Sequence, residues 1–209
     1  MVARRDKRFK AILLIGPTGA GKTPLGQLLE KRGLKGKRCI HFDFGNALRK
    51  CVADPDSRLT RDEILIVRKS LATGALLEDK DFIIAEKLLL DFIRERRAGG
   101  NSFVVLNGLP RHAGQARAIE RFIDMRLLVK LDCPLGVVLA RIQMDTGGDR
   151  SGRTDDALDE VEQRVKLFKK RTEPLIDYYR GMRVPLLSID IKAKSTAQGM
   201  YRQIETWQF

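Results

Sequence analysis

Long apolar runs, clustered thiols and imidazoles are all missing from this sequence. No stretch approaches the roughly 18 consecutive apolar residues that a membrane-spanning helix needs. AILLIG runs straight into a glycine loop, and KLLLDFI carries Asp91. The chain therefore reads as soluble, and its compartment as the cytoplasm. Its cysteines, Cys39, Cys51 and Cys133, are odd in number and widely spaced, with no C-x-x-C pair. That pattern excludes a disulfide framework and a cysteine-based zinc site. His41 and His112 are the only imidazoles, too few for a metal cage. Aromatic residues make up 6% of the chain and include a single Trp, so stacking platforms for nucleic-acid bases are scarce. No internal repeat or low-complexity tract occurs.

Positive charge, by contrast, is abundant. Forty Lys and Arg against 27 Asp and Glu leave a net charge of +13. Such an excess suits a phosphorylated substrate, a polyanion or simply a solvated surface. The basic runs KRGLKGKR and RERRAGG contain no aromatics, so most of this charge reads as solvated helix faces and nucleic acid is not favoured as a partner. The basic start MVARRDKRFK includes Asp6 and leads into no long apolar core, which marks a solvated leader rather than a targeting peptide.

Five runs, AILLIG, CIHFDF, SFVVLNG, LLVKLDC and VPLLSIDI, are nearly continuous in apolar character. Strands covered on both faces have that character, and segments of helical spacing separate them. The alternation predicts one α/β domain over residues 1–209: a three-layer fold with a five-stranded parallel sheet between helices. The first strand is expected from Ala11. Thr60 and Glu63 form a capping-box pattern for a helix that Gly74 ends. A long helix is expected over residues 79–97. Another, from about Asp155, places Val161, Val165, Phe168 and Thr172 on one face. Pro174 should break it, leaving a short helix over residues 174–179.

The most specific pattern is Gly16-Pro17-Thr18-Gly19-Ala20-Gly21-Lys22-Thr23, which fits G-x-x-x-x-G-K-[ST]. It follows a strand and precedes a helix, the order in which backbone N–H groups and a helix N-terminus can face a polyphosphate. Lys22 can reach the β and γ phosphates, and the Thr23 hydroxyl can ligate Mg²⁺ accompanying ATP. Pro24 is harmless in a first helical turn. The loop identifies a nucleotide triphosphate site without saying which reaction follows.

Four further segments resemble the adenylate kinases and related nucleoside monophosphate kinases over residues 11–204. HFDFGNALR is similar to that family's S-T-G-D-L-L-R, and NGLPRHAGQARAI to D-G-F-P-R-x-x-x-Q-A. LARIQMDTGGDRSGRTDD resembles its short lid. EQRVKLFKKRTEPLIDYY resembles K-R-L-x-x-Y-x-x-x-T-x-P-L-I-x-Y-Y. The resemblance implies a P-loop kinase with a monophosphate-binding insert at about residues 43–74 and a lid at about residues 141–156. It further implies reversible transfer of the γ-phosphate of Mg-ATP to a nucleoside monophosphate.

By the same resemblance, Arg49 and Arg111 hold the acceptor phosphate, where planar guanidinium forks suit the task. Arg153 and Arg164 close over the transferring group from the lid side, and Arg141 stacks on the ATP adenine. Gln115 reads the base edge of AMP, with Phe44 and Gly108 lining the same site. Lys22, Arg111, Arg153 and Arg164 form the implied catalytic set. Gly147, Gly148 and Gly152 fit a lid that closes and reopens. Asp155 and Asp156 pair with lid arginines or cap the next helix. The expected partners are ATP and a monophosphate, AMP first and UMP or CMP as alternatives; the expected state is a monomer.

The match departs from the family in definite places. Two family aspartates that order water around Mg²⁺ are Asn46 and Asn107 here, and an amide brings no negative charge to a dication. Asp43, at a strand end, offers a partial replacement. An aspartate at position 107 is accordingly expected to raise the Mg-dependent rate. Phe44 stands where the family has a threonine, and can stack on a base or narrow the pocket. Asp145 occupies the place of a lid arginine, for which Arg150 is a substitute. These departures keep a second reading open: an ATP-binding protein of kinase ancestry with little turnover.

Overall fold

In the computed structural model, residues 8–148 and 158–208 are described. Five strands form one parallel sheet: β1 (Phe9–Ile15), β2 (Arg38–Asp43), β3 (Ser102–Asn107), β4 (Ile123–Asp132) and β5 (Leu186–Asp190). Their spatial order is β2-β3-β1-β4-β5. The chain moves to one side of β1 to build β2 and β3, then crosses to the other side for β4 and β5. Such a reversal opens a crevice at the carboxyl ends of the strands around β1.

The apolar runs become strands because both faces of the sheet are covered. One layer joins Leu13, Phe42, Leu106 and Leu128 with helices on one face; the other joins Ile12, Leu14, Val105 and Val129 with helices on the opposite face. All six residues of β3 are buried. Three strands begin earlier than their apolar runs, β2 by one residue at Arg38 and the other two by more. β1 starts at Phe9, not Ala11, and β4 starts at Ile123, because Phe9 and Lys10 pair with Ile123 and Asp124. Ladder pairing there carries the strand into polar residues that the apolar pattern omits.

Helix α1 (Lys22–Arg32) follows the glycine loop, and α2 (Phe44–Ala53) follows β2 directly. Helix α3 (Arg61–Thr73) has the expected capping box, with Thr60 and Glu63 each accepting from the other's backbone N–H, and ends at Gly74 with φ 67°. The long helix opens with a 3₁₀ turn at Asp79–Asp81 and continues as α4 (Phe82–Glu95). Helices α5 (Ala113–Ile119), α6 (Leu135–Gln143), α7 (Leu158–Leu167), α8 (Leu175–Gly181) and α9 (Ala197–Thr206) complete the described elements.

Pro174 does not simply break the helix. A π-helical segment, Phe168–Thr172, joins α7 to α8. The Glu173 N–H reaches five residues back to the Phe168 carbonyl at 2.9 Å, so the widened turn accommodates the proline ring. Phe168 and Thr172 remain buried with Val161 and Val165, as the face pattern predicts. No described helix is long and apolar enough to cross a membrane. The three cysteines are free and buried. Burial, with Glu30 adding to it, pushes the Cys39 thiol up to about 12.

Candidate active site

The phosphate loop is built at the end of β1 by close approach and unusual backbone. A Cβ at Gly16 would lie 2.9 Å from the Leu131 carbonyl oxygen of β4, which leaves room only for glycine. Gly21, with φ 96°, turns the chain into α1 through a conformation that residues with a Cβ rarely adopt. The Lys22 ammonium donates to the Gly16 and Pro17 carbonyls at 2.7 and 2.6 Å, lying across the loop it is expected to serve. Gly19 accepts from Arg141 Nε at 3.0 Å, and Ala20 is fully buried beneath the loop.

A cavity of about 220 Å³ opens beside this loop. It brings Gly16, Pro17, Thr18, Lys22 and Thr23 together with Phe44, Arg49, Asn107, Gly108, Arg111, Gln115 and Arg164. The two halves of the expected site, donor loop and acceptor arginines, thus share one cleft. Ser70 and Leu71 of α3 line it, as do Phe168 and Thr172 of the π-helical segment.

Arg111 is half-buried, and its guanidinium has no hydrogen-bond or carboxylate partner among the described residues. Burial, and then the Arg164 charge, hold it below the ordinary arginine value, at about 10. Two guanidinium groups facing a cleft whose described lining includes one carboxylate, Asp43, make a receptor for an anion. Arg164 also comes close to the α3 cap, its Nε lying 3.8 Å from where a Cβ at Gly74 would stand. Arg49 is exposed on α2 and folds back towards Gly45.

Gln115 is buried at the floor of the cleft. Its Nε2 donates to the Leu77 carbonyl at 2.8 Å, and its Oε1 accepts from the Arg111 backbone N–H at 2.8 Å. Thr172 Oγ1 donates to the Arg111 carbonyl at 2.9 Å, so the arginine is gripped from both sides of its backbone. Phe44 is nearly buried, with its ring centroid 6.1 Å from that of Phe42. The ring is committed to the core, and Phe44 acts as a wall more than as a stacking platform.

Arg141 is buried to 3% exposure and donates to four carbonyls: Gly19, Lys192, Ala193 and Ser195. It ties the phosphate loop to the segment after β5, outside the cleft that Arg49 and Arg111 line. Arg153, Arg150, Gly152, Asp155 and Asp156 lie outside the described residues. Gly147 and Gly148 belong to the turn that follows α6.

Asp43, expected at a strand end as a partial replacement for the family aspartates, meets Thr23 and Asn107 through one oxygen. The Thr23 hydroxyl donates to Asp43 Oδ2 at 2.7 Å, and Asn107 Nδ2 donates to the same oxygen at 3.0 Å and to Thr23 Oγ1 at 3.1 Å. His41 Nε2 lies 3.5 Å behind the Asn107 amide, and burial pushes the imidazole pKa down despite the Asp43 and Glu30 carboxylates. Among the described residues no group of three or more His, Cys, Asp or Glu could by itself hold a metal ion. The set does fit Mg²⁺, which takes one or two carboxylates, retains waters and draws its other ligands from substrate phosphates.

Comparison with known proteins now decides the family. An adenylate kinase of Prochlorococcus marinus (strain NATL2A) is 30% identical over 176 residues, covering 82% of this chain and 85% of that protein. The chain belongs to the adenylate kinase family. Adenylate kinase from Thermus thermophilus is 31% identical over 178 residues, covering 82% of this chain and 84% of its own length. The enzyme of P. marinus strain MIT 9301 is 26% identical over 181 residues, covering 83% of this chain and 86% of its own length. No family profile matches the chain. Adenylate kinases are phosphotransferases on a P-loop fold, and the parallel sheet and glycine loop described above are that fold.

Proposed function

We propose that this member of the adenylate kinase family transfers the γ-phosphate of ATP reversibly to AMP, yielding two ADP. The observation that carries the reading is the single cleft in which the phosphate loop faces Arg111, Arg164 and Gln115. Phosphoryl transfer between two phosphates needs no strong base, because the acceptor is already anionic at neutral pH. What it needs is alignment and compensation of charge.

Lys22 and the backbone N–H groups of residues 16–23 hold the donor phosphates. Arg49 and Arg111 hold the acceptor phosphate, with Arg164 and Arg153 closing on the group in flight. Thr23 and Asp43 would hold the Mg²⁺ that accompanies ATP, and that ion supplies further charge neutralisation. Arg141 stiffens the donor side by binding the loop to residues 192–195. Gln115 favours AMP: with one amide hydrogen and one lone pair already used, it keeps one donor and one acceptor for the edge of adenine. A cytoplasmic monomer is the setting that this reading adopts.

Chromatography of products tests it directly. Protein incubated with Mg-ATP and AMP should form ADP far faster than with ATP alone, and CMP, UMP, GMP and dTMP should lag. Lys22→Met should remove the activity while leaving the folded state intact. Faster turnover with a pyrimidine monophosphate would move the acceptor assignment away from AMP. No transfer to any acceptor would discard the kinase reading.

A further inference from the structure

The cleft contains a single carboxylate among the described residues that line it, Asp43. The parallel register of β2 on β3 sets Asp43 opposite Asn107, so both side chains reach the phosphate loop together. Each oxygen of Asp43 has a separate task. Oδ1 accepts the Asn46 N–H at 2.9 Å and caps α2, while Oδ2 takes the Thr23 hydroxyl at 2.7 Å and the Asn107 amide at 3.0 Å. The bonds at Thr23 fix where its oxygen can bind next. Its hydrogen goes to Asp43 and one lone pair accepts from Asn107 at 3.1 Å. One lone pair remains.

We infer that Asp43 is the carboxylate of the cation site, that Asn107 is its positioning amide, and that the negative charge has thereby moved from the end of β3 to the end of β2. The inference rests on the nucleotide reading proposed above, since the cation is a hard divalent ion that arrives with ATP. It reverses the expectation that an aspartate at 107 would improve the enzyme. A carboxylate there would replace a donor 3.0 Å from Asp43 Oδ2 with a second anion. The introduced carboxylate would bring no hydrogen to Asp43 Oδ2 or to Thr23 Oγ1, so the amide bonds that order both oxygens would be lost. The same geometry makes Asp43 a link between the two sites: through its cap on α2 it fixes the start of the helix that carries Arg49.

Mn²⁺ is the probe, read by its electron paramagnetic resonance in the presence of a non-hydrolysable ATP analogue. The wild-type chain should retain Mn²⁺ with the analogue. Asp43→Asn keeps a residue able to cap α2, so its thermal melt should stay close to wild type. Its Mn²⁺ retention should fall about 10- to 100-fold, with metal-free analogue binding unchanged or tighter. Asn107→Asp should give no gain in retention. The double exchange Asp43→Asn/Asn107→Asp, which restores one carboxylate and one amide, should recover part of the loss. Undiminished Mn²⁺ retention in Asp43→Asn, or tighter retention in Asn107→Asp alone, would overturn the inference while leaving the nucleotide site standing. Failure of the wild-type chain to bind the analogue with or without metal would remove both.

Discussion

On the proposed function, Arg111 serves binding at the expense of stability. Its guanidinium is drawn below its ordinary value, to about 10, first by burial and then by Arg164. Between that value and the higher one of the unfolded chain, the unfolded state binds more protons, so stability rises with pH only in that alkaline window. At neutral pH both states are charged and the full penalty stands. Arg111→Met should therefore raise the melting temperature by a few degrees, corresponding to roughly 1 kcal/mol, while AMP-dependent ADP formation falls by orders of magnitude. Calorimetric melts alongside the product assay check both halves; a variant that is less stable would show that the packing of Arg111 outweighs its charge. Lys22, Thr23, Arg111 and Gln115 stand in patterns of fixed spacing, and the fold brings all four to one cleft. Asp43 was named only from its place at a strand end, with no partners assigned. An aspartate at a strand end has no signature of its own, and only the β2–β3 register sets it opposite Asn107.

Among the elements, the strands and the α3 cap follow from local chemistry: continuous apolar runs, a Thr60–Glu63 box and a glycine able to take positive φ. The path through Phe168–Thr172 does not follow from it. Pro174 signals that regular helix must end, but the choice of a π-helical turn over a clean break depends on tertiary contacts, and π segments often accompany functional sites. Here the segment places buried Thr172 where its hydroxyl reaches the Arg111 carbonyl at 2.9 Å. Thr172→Val keeps the shape and removes that donor, at a cost of about 1 kcal/mol. The expected result is a roughly fivefold rise in KM for AMP, the equivalent of that energy, with KM for ATP nearly unchanged. Thr172→Ser should restore the wild-type value. Equal effects on both substrates would instead mean that the segment supports the domain as a whole.

At the scale of the whole molecule, the parallel sheet carries the phosphate loop, Asp43 and Asn107 at one end, helices α2 and α7 bring in Arg49 and Arg164, and the loop between β3 and α5 brings in Arg111. The chain carries a net charge of +13, and one carboxylate among the described cleft residues faces several cations. Both proposed substrates are polyanions, so the field of the protein should speed their encounter. Raising ionic strength from about 10 mM to about 150 mM shortens the screening length from about 30 Å to about 8 Å. Over that range kcat/KM for AMP should drop by roughly tenfold, whereas kcat, measured with both sites filled, should change little. The contrast matters because the two quantities report different things. Encounter depends on charges spread across the surface, which salt screens; transfer, on the proposed function, depends on guanidinium groups set within the cleft, which it screens far less. Stopped-flow or steady-state kinetics across a salt series separates them. If kcat/KM stays flat, the basic surface plays no part in substrate capture, and its charge is then only the solvated exterior of the helices.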